Sequence, residues 1–307
     1  MNNINILITG SSGQLGSELR MLNDKFKMLN YRCFFIDKND LDITDFQRVK
    51  DFIEKNDIKI IINTAAYTAV DKAEEEKELA ELINYKAVEN LAKISKEKDI
   101  FLVHISTDYV FNGKNYRPYV EEDKTDPINY YGLTKLKGEE AIKKINPKGV
   151  IIRTSWVYSS FGKNFVKTML NLAKTKKELN IIFDQIGTPT YARDLAEVIL
   201  RILDVKFKIT DSNNNLTSNI KHLPSNVEIY HYSNEGVCSW YDFAKAIFEI
   251  EGIDIKVNPI ESKDYPTPAK RPFYSVLNKS KIKRDFNIEI PYWIDSLKEC
   301  LERLYDE

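Results

Sequence analysis

Short runs of aliphatic and β-branched residues recur through the first half of the chain, at Ile4 to Thr9, Arg32 to Asp37, Ile58 to Asn63, Phe101 to Ser106 and Val150 to Ser155. Most are apolar nearly throughout rather than at alternate positions, which predicts strands covered on both faces. Between them, in Asp45 to Asn56, Asp71 to Lys98 and residues 129 to 145, apolar positions recur at helical spacing. Strands alternating with helices predict an α/β fold built on a doubly wound (Rossmann) parallel sheet, whose ligands sit at the carboxyl ends of the strands.

After about Tyr158 the alternation weakens, although Asn164 to Lys174, Ala192 to Leu203, Trp240 to Glu251 and Trp293 to Tyr305 still read as helices. The expected division is a nucleotide-binding domain over 1–157, with returning segments from about 185–235, and a smaller interleaved α/β substrate-binding lobe over most of 158–307. The Asn- and Ser-rich stretch Lys206 to Asn226 reads as a solvated, mobile loop. No internal repeat is evident.

Composition narrows the function classes. With 45 basic and 46 acidic residues, a formal net charge of -1 and 43% hydrophobic content, the chain reads as an ordinary globular protein. It has no basic block of the kind nucleic acid or acidic membranes require. No apolar stretch approaches the ~20 residues of a bilayer span, and the start of the chain has no charged leader, so a cytoplasmic location is the expectation. Cys33, Cys238 and Cys300 are too scattered for a disulfide framework or zinc site and read as buried small hydrophobes. His104, His222 and His231 are equally dispersed, and no metal is expected.

The first strand runs into Gly10-Ser11-Ser12-Gly13-Gln14-Leu15-Gly16, followed by a helical segment containing Glu18. Glycines let the backbone turn tightly and approach a pyrophosphate, whose charge is stabilised by helix N-terminal amides. Strand, glycines, helix and a second strand ending in Asp37 together predict dinucleotide binding. Asp37 suits the adenosine ribose diol and favours NADH, whereas Lys38 and Arg32 nearby suit the extra phosphate of NADPH. Asp42 and Ile43 lie where adenine would rest, though the same Asp-Ile-Thr-Asp string also suits a helix cap.

Tyr131 and Lys135 stand one turn apart if residues 129 to 145 are helical, so an ammonium can lie beside a phenol. A cation at roughly 4 to 5 Å, with an effective dielectric of ~20, favours the phenolate by a few kcal/mol. Such a tyrosine can protonate a carbonyl oxygen while hydride is delivered to its carbon. Thr107, at the end of the fourth run, falls on the same edge of the sheet.

With these residues placed, the chain resembles an extended short-chain dehydrogenase/reductase and, more narrowly, the dTDP-4-dehydrorhamnose reductase family. The strings that carry the likeness include Gly13-Gln14-Leu15-Gly16, Asn63 to Glu74, Ser106-Thr107-Asp108-Tyr109-Val110-Phe111, Tyr131 to Glu139, Arg153 to Tyr158, Asp184 to Thr190 and Arg271-Pro272. The resemblance implies NADPH- or NADH-dependent reduction of the C4 ketone of dTDP-4-dehydro-L-rhamnose, with Tyr131 as proton donor, Lys135 at the nicotinamide ribose and Thr107 on the same oxygen. It also implies that Gly10, Gly13, Gln14, Leu15 and Gly16 meet the pyrophosphate, that Asp37, Asp42 and Ile43 meet the adenosine, and that Ala65, Ala66, Tyr67, Thr68 and Ile105 line the cofactor. Asp108 and Trp156 would touch a small nucleotide-sugar substrate, with Trp156 as a core aromatic the other reading. Residues 162–165 read either as a pyrophosphate-facing helix start or as a simple cap, and Arg271 as a phosphate ligand or a structural ion pair. Glu18 falls where some family members bind Mg²⁺ at a dimer interface; its companions are not identifiable, and a homodimer is left open.

Nucleotide-sugar 4,6-dehydratases share the fold and the tyrosine–lysine pair but carry an acid pair after the threonine, whereas here Asp108 is followed by Tyr109. Two further alternatives are a reductase of another nucleotide 4-keto-6-deoxy sugar and a non-catalytic subunit resembling the methionine adenosyltransferase β subunit. Intact Thr107, Tyr131, Lys135 and glycine turn weigh against the latter.

Overall fold

The computed structural model describes residues 3–207 and 226–305. Most of the loop expected from Lys206 to Asn226, and His222 with it, lies outside the described residues. The chain opens with β1 (Ile4–Thr9), α1 (Gln14–Met21), α2 (Asn23–Met28), β2 (Tyr31–Ile36), α3 (Phe46–Lys55) and β3 (Ile58–Asn63). There follow α4 (Lys77–Glu81), α5 (Ala87–Glu97), β4 (Phe101–Thr107), α6 (Tyr130–Ile145) and β5 (Gly149–Thr154). The remainder comprises β6 (Val157–Tyr158), α7 (Phe165–Ala173), β7 (Glu178–Ile182), β8 (Ile186–Gly187), β9 (Thr190–Tyr191) and α8 (Ala192–Phe207). After the undescribed stretch come β10 (Val227–His231), β11 (Cys238–Ser239), α9 (Trp240–Ile250), β12 (Lys256–Ile260), α10 (Ser280–Phe286) and α11 (Trp293–Arg303).

Six strands form one parallel sheet in the order β10-β5-β4-β3-β1-β2. Chain order reverses direction at β1, which opens a crevice beside its carboxyl end and that of β3. The unbroken apolar runs follow from burial on both faces. Ile6, Ile8, Ile60, Ile62, Val103, Val150 and Ile152 pack with Leu15 and Leu19 of α1 and Leu195 and Ile199 of α8. The intervening Leu7, Ile61, Leu102 and Ile151 face Val49, Val88, Leu91 and Ile142 on the other side. The sixth strand, β10, arrives from beyond residue 226 and pairs with β5 from Val227↔Gly149 to His231↔Arg153.

A second core gathers Tyr158, Val166, Met169, Phe243, Ile247, Trp293 and Leu297 from α7, α9, α11 and neighbouring segments, beside the small parallel pair β7–β12. One expectation is corrected. The helix expected from Asp71 to Lys98 is broken into a 3-10 turn at Lys72–Glu74, α4, a π turn at Leu82–Lys86, and α5. The physical reason is Asn84. Its side chain is buried inside the π turn, accepts from Tyr67 N at 2.8 Å, and donates to Tyr67 O at 3.0 Å and Thr134 Oγ1 at 3.1 Å. The widened turn also brings Asn84 O against Gly138 of α6, where an added Cβ would stand 2.4 Å away.

Candidate active site

A cleft of about 810 Å³ opens at the carboxyl ends of β1, β3, β4 and β5. Its floor is the glycine turn. Gly10 has φ +67 and lies so close to the next crossover that a Cβ would sit 2.7 Å from Ala65 N, so only glycine fits. Gly16 faces inward instead, where a Cβ would meet Gly10 O at 2.4 Å, and this lets α1 begin directly beneath the turn. Gly13 caps α1 without a side-chain bond, leaving first-turn amides unsatisfied by a cap.

Gly10, Gly13, Gln14, Leu15, Asp37, Asp42, Ile43, Ala65, Ala66, Thr68 and Ile105 line the cleft, together with Thr107, Asp108, Tyr131, Lys135 and Trp156. Two residues expected at the cofactor are not on its wall. Gly16 is taken up in packing α1 against the turn, and Tyr67 has its backbone held by Asn84 while its hydroxyl turns out to Glu76 at 2.8 Å. Asp37 accepts from the amides of Asn39 and Asp40, and Asp42 from Thr44. The cap of α3 is Asp45, through Arg48 N, which frees Asp42 from that role.

The chemistry-bearing groups converge from two elements. Thr107 ends β4; its hydroxyl accepts from Tyr109 N at 3.2 Å and donates to Asp108 at 3.0 Å. Tyr131 and Lys135 project from α6, which Asn129 caps through Gly132 N at 2.8 Å. Lys135 does not pair with the phenol as the helical spacing predicts. Its Nζ donates to Ile105 O at 2.7 Å and stands 3.5 Å from His104 Nε2. The electrostatics differ accordingly from the expectation of an acidified tyrosine: burial pushes the Tyr131 phenol up to about 12, with the Thr107 hydroxyl opposing. Burial lowers the Lys135 ammonium to about 8 against the pull of Glu139. Burial also raises Asp108 to about 7, opposed by the nearby hydroxyls of Ser275 and Thr107; Thr107 reaches Oδ1, and Oδ2 is buried without a hydrogen-bond partner among the described residues.

Behind this group, Glu139 is fully buried, accepting from Ser106 Oγ at 2.5 Å and from Arg153 at 2.7 to 3.2 Å. A buried pair of this kind is retained only with its hydrogen bonds complete, and here it ties β4, β5 and α6 together under the site.

Trp156 joins both readings offered by the sequence: it lines the cleft and packs against Trp240, ring centroids 3.7 Å apart and 12° from parallel. Its backbone is left-handed at φ +48, which costs a bulky residue about 1–3 kcal/mol. Gly162 and Lys163 reach the cleft, while Asn164 caps α7 and donates to Gln14 at 2.9 Å. Arg271 forms the structural pair, bidentate to Asp71 at 2.9 and 2.7 Å. Glu18 is buried against Ser159 and Arg303, and no metal-holding cluster occurs among the described residues. Cys238 and Cys300 are buried and Cys33 partly so, all free.

Sequence reasoning missed Asn84, Trp240 and Ser275. Asn84 carried a signal, because it occupies the buried stripe with Ala80, Ala87, Val88 and Leu91, where a polar residue needs partners. Trp240 followed the Ser239–Asp242 capping box and read only as a helix start.

The family model described as the RmlD substrate binding domain matches residues 4–306. A spore coat polysaccharide biosynthesis protein, SpsK of Bacillus subtilis, is 40% identical over 97% of this chain and 96% of its own. The dTDP-4-dehydrorhamnose reductase of Aggregatibacter actinomycetemcomitans is 40% identical over 98% of this chain and 99% of its own. The crystal structure of dTDP-4-dehydrorhamnose reductase from Bacillus anthracis, in complex with NADP, superposes with a TM-score of 0.87 at 36% identity, covering 98% of this chain and 99% of that one.

Proposed function

Because the chain belongs to the dTDP-4-dehydrorhamnose reductase family, NAD(P)H-dependent oxidoreductases of dTDP-rhamnose biosynthesis, we propose that it reduces the C4 ketone of dTDP-4-dehydro-L-rhamnose to dTDP-L-rhamnose. The observation that carries this reading is the meeting of Thr107, Tyr131 and Lys135 with the Gly10 to Leu15 turn in one cleft. That donor set fits a reduced nicotinamide dinucleotide, which supplies hydride when bound. Glycine backbone and unsatisfied α1 amides suit the pyrophosphate, and Asp37 the adenosine ribose.

As negative charge develops on the C4 oxygen, Tyr131 gives up its phenolic proton and Thr107 turns its hydroxyl from Asp108 to the same oxygen. Both interactions strengthen only as the alkoxide forms, which is where binding lowers the barrier. Lys135, its Nζ anchored on the Ile105 carbonyl, would hold the nicotinamide ribose. Asp108, with one buried oxygen unpartnered among the described residues, suits a sugar hydroxyl beside the reacting carbon. On this reading 1–157, with returning segments from about 185–235, carries the cofactor and the acid, and the substrate-binding lobe over most of 158–307 adds Gly162, Lys163 and Trp240 to the cleft.

The test is an assay of dTDP-4-dehydro-L-rhamnose with NADPH and with NADH, following loss of reduced nicotinamide and identifying the sugar formed. Stoichiometric consumption with dTDP-L-rhamnose as product is expected. Turnover without net cofactor loss, or none with either cofactor, sinks the reading.

A further inference from the structure

We propose that Trp240 is a positioning residue for substrate recognition, which by stacking on Trp156 holds that indole as an apolar wall for the C–H face of the nucleotide-linked sugar. The inference rests on the reductase reading above and adds to it the part of the site that handles carbon rather than oxygen.

The polar groups assigned to the reacting end of the cleft, Thr107, Asp108 and Tyr131, are all suited to oxygen atoms. A 4-keto-6-deoxy hexose also carries a methyl group and a face of C–H bonds, which gain from apolar cover when removed from water. Trp156 and Trp240 both line the cleft and both are half-buried. The Trp156 indole is held from several directions. Its backbone is pinned by Ser155 Oγ donating to Thr188 O at 2.7 Å and by Thr190 N donating to Trp156 O at 3.2 Å. Gly187 leaves room for the ring, since a Cβ there would stand 2.7 Å from Trp156 Cε2. Trp240 then covers the ring in parallel contact and is itself backed by Phe165, centroids 4.7 Å apart. A left-handed backbone under a bulky side chain persists only where its surroundings over-determine it, and the stack on Trp240 is a side-chain clamp that reaches the ring from the second lobe. Trp240 is fixed in turn as the first residue of α9, behind the reciprocal Ser239–Asp242 cap.

Two parallel indoles in contact give a coupled signal in circular dichroism, which reports the stack directly. W240L should lose that signal and raise the KM for the nucleotide sugar about tenfold, the scale of one lost apolar contact, with the KM for NADPH unchanged. W240F, which keeps an aromatic face, should return the sugar KM towards wild type although the coupled signal stays lost. G187A displaces the Trp156 ring from its other side with Trp240 intact. It should weaken both the signal and sugar binding, and decides the matter if W240L does not fold. Loss of the signal with an unchanged sugar KM in either W240L or G187A, or an equal rise in both KM values, overturns the proposal. A wild-type protein without turnover would sink the reductase reading and this inference together; an active wild type with unaffected variants sinks the inference alone.

Discussion

At Tyr131 the surroundings work against ionisation, since burial holds the phenol near 12 while Lys135 gives its shortest bond to the Ile105 carbonyl. The tyrosine is therefore protonated throughout the neutral range and ready to serve as an acid. Tyr131→Phe removes the hydroxyl that carries that proton and keeps the ring; cofactor affinity should persist while kcat falls by roughly 10²–10⁴-fold, the usual reach of a general acid. An unchanged kcat would take Tyr131 out of the mechanism. Lys135 sets the pH window. Its folded pKa is lowered from 10.5 to about 8, so the ammonium is lost as pH rises past 8. In stability terms a lowered pKa contributes above 10.5 and is lost as pH falls through about 8, so the buried ammonium is carried at a cost at neutral pH. The activity this cation supports should then show a basic limb in kcat/KM near pH 8. Lys135→Met should weaken NADPH binding, lower the rate and abolish the limb; a surviving limb would assign it to another group.

Elements were legible in proportion to how locally they are determined. The strands β1, β3, β4 and β5 and the Gly10 to Gly16 turn could be read because continuous apolar runs and glycine spacing are properties of short windows. The break in the helix expected from Asp71 could not, because the partners that fix Asn84 are Tyr67 and Thr134, 17 and 50 residues away. The same holds for Lys135: helical spacing put it on the correct face of α6, but its Nζ went to a carbonyl on a neighbouring strand. Asn84→Ala tests the π turn. It leaves the Tyr67 backbone groups without their side-chain partner, at about 1–3 kcal/mol, removes the donor to Thr134 Oγ1, and loosens the segment carrying Ala65, Ala66 and Thr68. A lower thermal midpoint together with a raised KM for NADPH is expected. A drop in stability alone would confine Asn84 to the fold.

On the scale of the whole molecule, the cleft depends on segments far apart in the chain. Arg271 and the amide of Ala269 hold Asp71, which follows the cofactor-lining stretch, and Asn129 ties the cap of α6 to Lys270 O at 2.8 Å. The 269–271 loop is thereby fastened to both halves of the site. Arg271→Gln should leave the fold intact, since the pair is partly solvated and such pairs contribute on the order of 1 kcal/mol, yet raise the sugar KM severalfold; wild-type kinetics in this variant would make the clasp purely structural.

The sheet and first helix are also completed late. β10 closes the edge of the sheet beside β5, and Glu18 in α1 receives its guanidinium from Arg303, 285 residues on. During synthesis on the ribosome, the cofactor-binding half therefore emerges first but waits for β10 to cover its sheet edge and, last, for Arg303 to join Ser159 and Arg193 around Glu18. A nascent chain halted after residue 290 should remain open to protease within α1, whereas the full chain resists; equal resistance would mean that the first half closes without its final partner.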